Sequence, residues 1–262
     1  MSRRVLPLAA LVIGVSLMNP RAIFAAAVSI DSQTRTVHVA IPSITEGEAS
    51  IDETATAPDN NPFNQTLDRT LNQQDQTNHS LASQNSSFSN VSDQNFDVTA
   101  SGETRYSATG LSGIVFAESN FAVSFTLSEQ RDYSISGSGS FVDTTGGASN
   151  FSVQLTGPGG TIESFSKADF DPGNNDGATV PANFSHTGTL DPGSYTLTAL
   201  SGVSGGTNLN EVLASYDVDF SATAAEGPPP PPTGIPLPSG VLPGAAMLVV
   251  LGSLKFARAR IA

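Results

Sequence analysis

Residues 121–127 read Phe-Ala-Val-Ser-Phe-Thr-Leu, alternating large apolar with mostly small side chains without a break. In an extended strand successive side chains point to opposite faces, so Phe121, Val123, Phe125 and Leu127 share one face and Ala122, Ser124 and Thr126 the other. The same period recurs downstream. After Ser128-Glu129-Gln130, the stretch RDYSISGS (131–138) carries Tyr133 and Ile135 in phase, and FSVQL (151–155) carries Phe151, Val153 and Leu155. Gly-Pro-Gly-Gly at 157–160 turns the chain into TIESF, and Pro192-Gly193, which suits a type II turn, leads into Tyr195, Leu197 and Ala199. ASYDVDF (214–220) adds Tyr216, Val218 and Phe220. Short strands with one apolar face and turn residues between them predict an all-β fold, an antiparallel β-sandwich over residues 95–223.

Upstream the signal is thinner. TRTVHVAIPSI places Val37, Val39 and Ile41 on one side of a strand, but residues 58–90 are dominated by Asn, Gln, Ser and Thr. Such a tract has little apolar surface to offset its ordering entropy. Residues 28–94 are therefore expected to form a polar, partly ordered region whose strands need outside partners.

Both ends differ from this body. At the N-terminus MSRR is a basic start, VLPLAALVIGVSLM an apolar run and NPRAIFAAA a small-residue close, the three parts of a signal peptide over 1–27. Ala25 and Ala27 satisfy the small-x-small rule and place cleavage after Ala27. Toward the C-terminus, residues 224–234 are a proline-rich linker, AAEGPPPPPTG, unable to join a helix or a sheet ladder. Beyond it an apolar run predicts a single transmembrane helix over about 239–257; counted from Leu237 to Ala257 it spans about 31 Å, close to a hydrocarbon core. Lys255, Arg258 and Arg260 then hold the tail on the cytoplasmic side. These three cations in the last eight residues also argue against a glycolipid-anchor signal, which ends in its apolar tail.

The layout Ile235-Pro236-Leu237-Pro238, short apolar helix and terminal basic cluster resembles the PEP-CTERM sorting signal recognised by exosortase. The motif is similar to the Val-Pro-Leu-Pro variant of that family, with Ile in the first place. The resemblance covers residues 235–262 and implies a Gram-negative, exopolysaccharide-producing host. It also implies an exosortase-type processing enzyme as partner, and passage from the inner membrane to the cell surface or beyond. Within the body, LTGPGG followed by LDPGSYTL resembles secreted jelly-roll and prepeptidase-like modules, which bears on fold alone.

Charge narrows the partners. The whole chain carries −13, yet all 24 acidic residues lie between Asp31 and Glu226, where Arg35, Arg69, Arg105, Arg131 and Lys167 are the only cations, so that segment carries −19. Nucleic acid and anionic lipid are repelled by such a surface. Cysteine is absent, which removes disulfides, thiolate metal sites and thiol nucleophiles together.

The search for chemistry returns little. His38, His79 and His186 are scattered, and no nucleophile elbow, zinc-protease helix or phosphate loop is present. Asp217 and Asp219 fall on the phase opposite Tyr216, Val218 and Phe220, as solvated surface does. DFDPGNNDG groups Asp169, Asp171, Asn174, Asn175 and Asp176, hard oxygen donors of the kind Ca²⁺ takes, but the spacing fails the EF-hand pattern and also describes a plain surface turn. Six Asn-x-Ser/Thr sequons, opened by Asn64, Asn78, Asn85, Asn90, Asn150 and Asn183, follow from composition. With no Trp and four Tyr, only Tyr106 is expected to offer an exposed aromatic platform. The expectation is a non-enzymatic, cofactor-free, exported structural protein of the cell surface or matrix, associated with exopolysaccharide; the alternative is a carbohydrate-binding module that retains that polymer.

Overall fold

Period-two alternation carries through to the architecture. The computed structural model describes residues 27–43, 49–74, 76–92, 95–109, 114–144, 146–170, 179–206 and 209–225. Along the chain the elements are β1 (Val28–Ile41), β2 (Ile51–Thr56), β3 (Phe63–Gln73), β4 (Gln76–Ser89), β5 (Asn95–Ala108), β6 (Val115–Leu127), β7 (Arg131–Val142), β8 (Gly147–Gly157) and β9 (Gly160–Ser166). After the helical turn α1 (Lys167–Phe170) come β10 (Val180–Leu190), β11 (Gly193–Gly205) and β12 (Leu209–Ala224). In β6 every second residue from Val115 to Leu127 is buried, so the expected phase of Phe121, Val123, Phe125 and Leu127 is the observed one.

The strands form two six-stranded sheets, β2-β1-β6-β11-β8-β9 and β10-β7-β12-β5-β4-β3, with every neighbouring pair antiparallel. Packed face to face, they make the expected antiparallel β-sandwich. Pairing from β5 onward is nested: β5 with β12, β6 with β11, β7 with β10, β8 with β9. The first and third of these pairs lie in the second sheet, the other two in the first.

The expected separation of residues 28–94 from the sandwich is not what the sheets show. β1 pairs with β6 and carries β2 outside it, while β4 pairs with β5 and carries β3, so this stretch adds two strands to each sheet. The physical reason is that its inward face mixes apolar side chains, Val37, Val39, Ile41, Phe63, Leu67 and Ala82, with polar ones held by hydrogen bonds. Arg35 is fully buried, donating through Nε to Gln33 Oε1 at 2.8 Å and through its guanidinium to the Asp59 carbonyl, with the Phe88 ring 4.8 Å and the Phe63 ring 5.7 Å away. Burial pulls the Arg35 pKa down, with nearby Asp59 opposing. Ser80 Oγ donates to the Phe116 carbonyl at 2.9 Å.

The interior has two apolar clusters. One is aromatic, built on Phe96, Phe121, Phe125, Phe151, Tyr195 and Phe220; the other is aliphatic, built on Val37, Val39, Ile41, Val115, Val203 and Val212 around Tyr106. Between them the buried Ser119 and Ser201 interrupt β6 and β11, and Thr104 interrupts β5. There the Tyr216 hydroxyl accepts from Gln84 Nε2 at 2.9 Å and lies 3.3 Å from Ser119 Oγ. Burial pushes the Tyr216 phenol up to about 12.

The β8–β9 turn is the one expected at Gly157–Gly160, with Gly160 at φ 107°. The type II turn expected at Pro192-Gly193 is not formed. Gly193 has φ 158°, far from the roughly +80° of that turn's third residue, and the link joins β10 and β11 of different sheets.

Candidate functional site

Across the middle of the second sheet the outward phase consists largely of short polar side chains, and strand register lines them up. Asn64 of β3 stands opposite Asn85 of β4, Asn85 opposite Ser101 of β5, and Ser101 opposite Asp217 of β12. Asp217 stands opposite Ser138 of β7, and Ser138 opposite Asn183 of the edge strand β10. One straight row thus crosses all six strands. Five of its six members, Asn64 to Ser138, line a shallow cavity of about 430 Å³, walled in part by Thr66, Ser83, Glu103, Ser140 and Ser215. Beneath it Gly102 and Gly139 face inward. A Cβ on Gly139 would stand 2.6 Å from the Phe151 ring, and one on Gly102 would stand 2.5 Å from the Tyr216 ring, so bare backbone lets both rings press up from inside.

Hydrogen bonding sets this row apart from its neighbours. Ser140 and Ser215 hydroxyls pair at 2.9 Å, Ser87 with Thr99 at 2.8 Å, and Ser134 with Ser221 at 2.9 Å, while Glu103 is taken by Arg105. Among the described residues the row's own six side chains make no hydrogen bond to another group. Partial burial, then repulsion from Asp219, holds the Asp217 carboxyl above its ordinary range.

A second constellation sits where the sheets meet at β9 and β10. The nearly buried Glu163 carboxylate accepts from the Tyr133 hydroxyl and pairs with His186 Nδ1. Burial, and then that carboxylate, holds the Tyr133 phenol far above its usual range. The cluster holds together two edge strands of opposite sheets and contains no activated nucleophile. His38 pairs with Asp52 at 2.9 Å and His79 with Asp68 at 2.7 Å, each an isolated pair at the surface. The three histidines are not brought together. Asp143 receives the Ser149 amide at 2.7 Å, its hydroxyl at 2.6 Å, and the Lys167 ammonium, tying α1 to the β7–β8 connection.

Of the expected site residues, Ala27 lies at the edge of the fold, buried, with its carbonyl accepting from the Ser128 amide at 3.0 Å. Ala25, the motif Ile235 to Pro238, and Lys255, Arg258 and Arg260 lie outside the described residues, as does the span 239–257. Among the described residues no helix is long and apolar enough to cross a membrane. In the acidic stretch Asp169 accepts from the Ser166 amide at 2.7 Å and hydroxyl at 2.9 Å, while Asp171, Asn174, Asn175 and Asp176 are outside the described set. Among the described residues no three His, Asp or Glu are grouped to hold a metal ion.

Tyr106 is not the exposed platform expected of it. It is fully buried, because β5 keeps it in phase with Phe96, Val98 and Ala100. Tyr133, Tyr195 and Tyr216 face inward as expected. The polar row itself had no signal in the linear sequence, since its members run from position 64 to 217 and only register aligns them. No family model matches the chain, and comparison with curated proteins finds no match.

Proposed function

We propose that the chain is an exported structural protein of the cell surface or extracellular matrix, sorted through its PEP-CTERM-like C-terminal signal and associated with exopolysaccharide. It does no catalysis in this reading. The observation that carries it is where the strands begin and end. β1 starts at Val28, immediately after the expected cut at Ala27, and β12 ends at Ala224, where the proline-rich linker begins. Processing at either end therefore keeps every strand from β1 to β12, at the loss of the Ala27 carbonyl's bond to the Ser128 amide. The nested pairing of β5 to β12 supports reading the sandwich as a jelly roll, with β1–β2 and β3–β4 widening its two sheets. Deleting residues 235–262 tests the sorting step: the truncated chain is expected in the soluble exported fraction, and its retention on membranes after a high-salt wash would contradict the assignment.

The alternative, a module that holds polysaccharide, draws support from the polar groove on the second sheet. Tyr216 is the one aromatic residue of its lining, and that ring is buried beneath the groove rather than presented flat, so any such binding rests on hydrogen bonds.

A further inference from the structure

We propose that the row Asn64, Asn85, Ser101, Asp217, Ser138 and Asn183 binds an extended, uncharged, linear glycan laid across the strands of the second sheet; this deepens the polysaccharide-holding reading and rests on it. These side chains have hydrogen-bonding capacity that no described group takes up, although pairs close across the strands in the flanking rows. Hydroxyl and amide groups both donate and accept, as sugar hydroxyls do. The row repeats at the strand spacing of about 4.8 Å, near the advance of one sugar in an extended chain, whereas an extended peptide advances about 3.3 Å per residue and falls out of step.

Charge selects among polymers. Asp217 within the row, Asp219 beside it, and the −19 body repel uronate or sulfate chains. A second copy of the same face is disfavoured for the same reason, because it would set Asp217 and Asp219 of one copy against those of the other. With no aromatic stacking, each contact is weak, and retention comes from many sugars along one chain.

The test is affinity electrophoresis of the full chain in detergent, in native gels containing hydroxyethyl cellulose, dextran or alginate. Retardation is expected with hydroxyethyl cellulose and not with alginate. The double variant Asn85→Ala plus Ser138→Ala is expected to raise the apparent Kd about tenfold, the size of two modest hydrogen bonds, while Ser124→Ala on the outer face of the first sheet leaves it unchanged. If the double variant melts early, Asn183→Ala on the edge strand takes its place. The inference is overturned by no retardation in any glycan, by equal retardation in alginate, or by groove variants that bind like wild type. A chain released by deleting residues 235–262 but not retarded by glycan defeats this inference alone; a chain retarded by glycan but not released defeats the sorting assignment alone.

Discussion

Truncating Phe125 to alanine removes the side chain at the centre of the aromatic cluster. Phe125 is fully buried, with the rings of Phe96, Phe220 and Tyr195 at 5.0, 5.5 and 5.7 Å between centroids. Loss of a buried phenylalanine costs about 3–5 kcal/mol, and losing three aromatic pairs puts this site at the upper end. For a body of this size each kcal/mol moves the melting temperature by about 2–4 °C, so Phe125→Ala should lower it by roughly 10–20 °C. The adjacent Ser124 points outward and shares a 2.9 Å hydroxyl contact with Thr196. Its replacement by alanine should cost under about 1 kcal/mol. Thermal melting followed by circular dichroism reads both in the same buffer. Equal depressions for the two variants would refute the strand phase on which both sheets are built.

Other outcomes follow from the same packing. The four tyrosines are all held neutral above their ordinary range, chiefly by burial. A raised phenol pKa means the unfolded chain loses its proton first, so stability is full below pH 10 and falls as pH rises toward 12. Tyr216, the most deeply buried, contributes on the order of 3 kcal/mol of that loss. Phenolate absorbance should therefore rise together with loss of the β-sheet signal; gradual ionisation of an intact fold would count against the buried tyrosines. Gly137→Ala should destabilise by at least about 1–3 kcal/mol, because its Cβ would stand 2.0 Å from the Asp217 carbonyl oxygen; an unchanged melting temperature would remove that close approach.

Legibility in the sequence tracked the chemistry of the inward positions. Where these are Phe, Val, Leu and Tyr, as in β6, β8, β11 and β12, alternation alone places the strand and its phase. In β4 the inward set includes Asn78, Ser80, Gln84 and Ser86, so apolar periodicity vanishes although the strand pairs with β5 along most of its length. The strand is held by its ladder and by bonds such as Gln84 to Tyr216, partners 132 positions apart. The inward phase of Tyr106 carries no sequence signal because its neighbours Thr104 and Ala108 are small or polar, yet both are buried with it. The groove was invisible for a different reason: its row depends on the register of six strands, and Ser or Asn at any one position is ordinary surface.

The central claim is export with processing at both ends, and the intact mass of the protein recovered from cell fractions tests it most directly. A surface or extracellular species that begins at Val28 and has lost the apolar span 239–257, with both sheets intact, is expected. A species that retains residues 1–27 and 235–262 and is confined to the cytoplasm would contradict it.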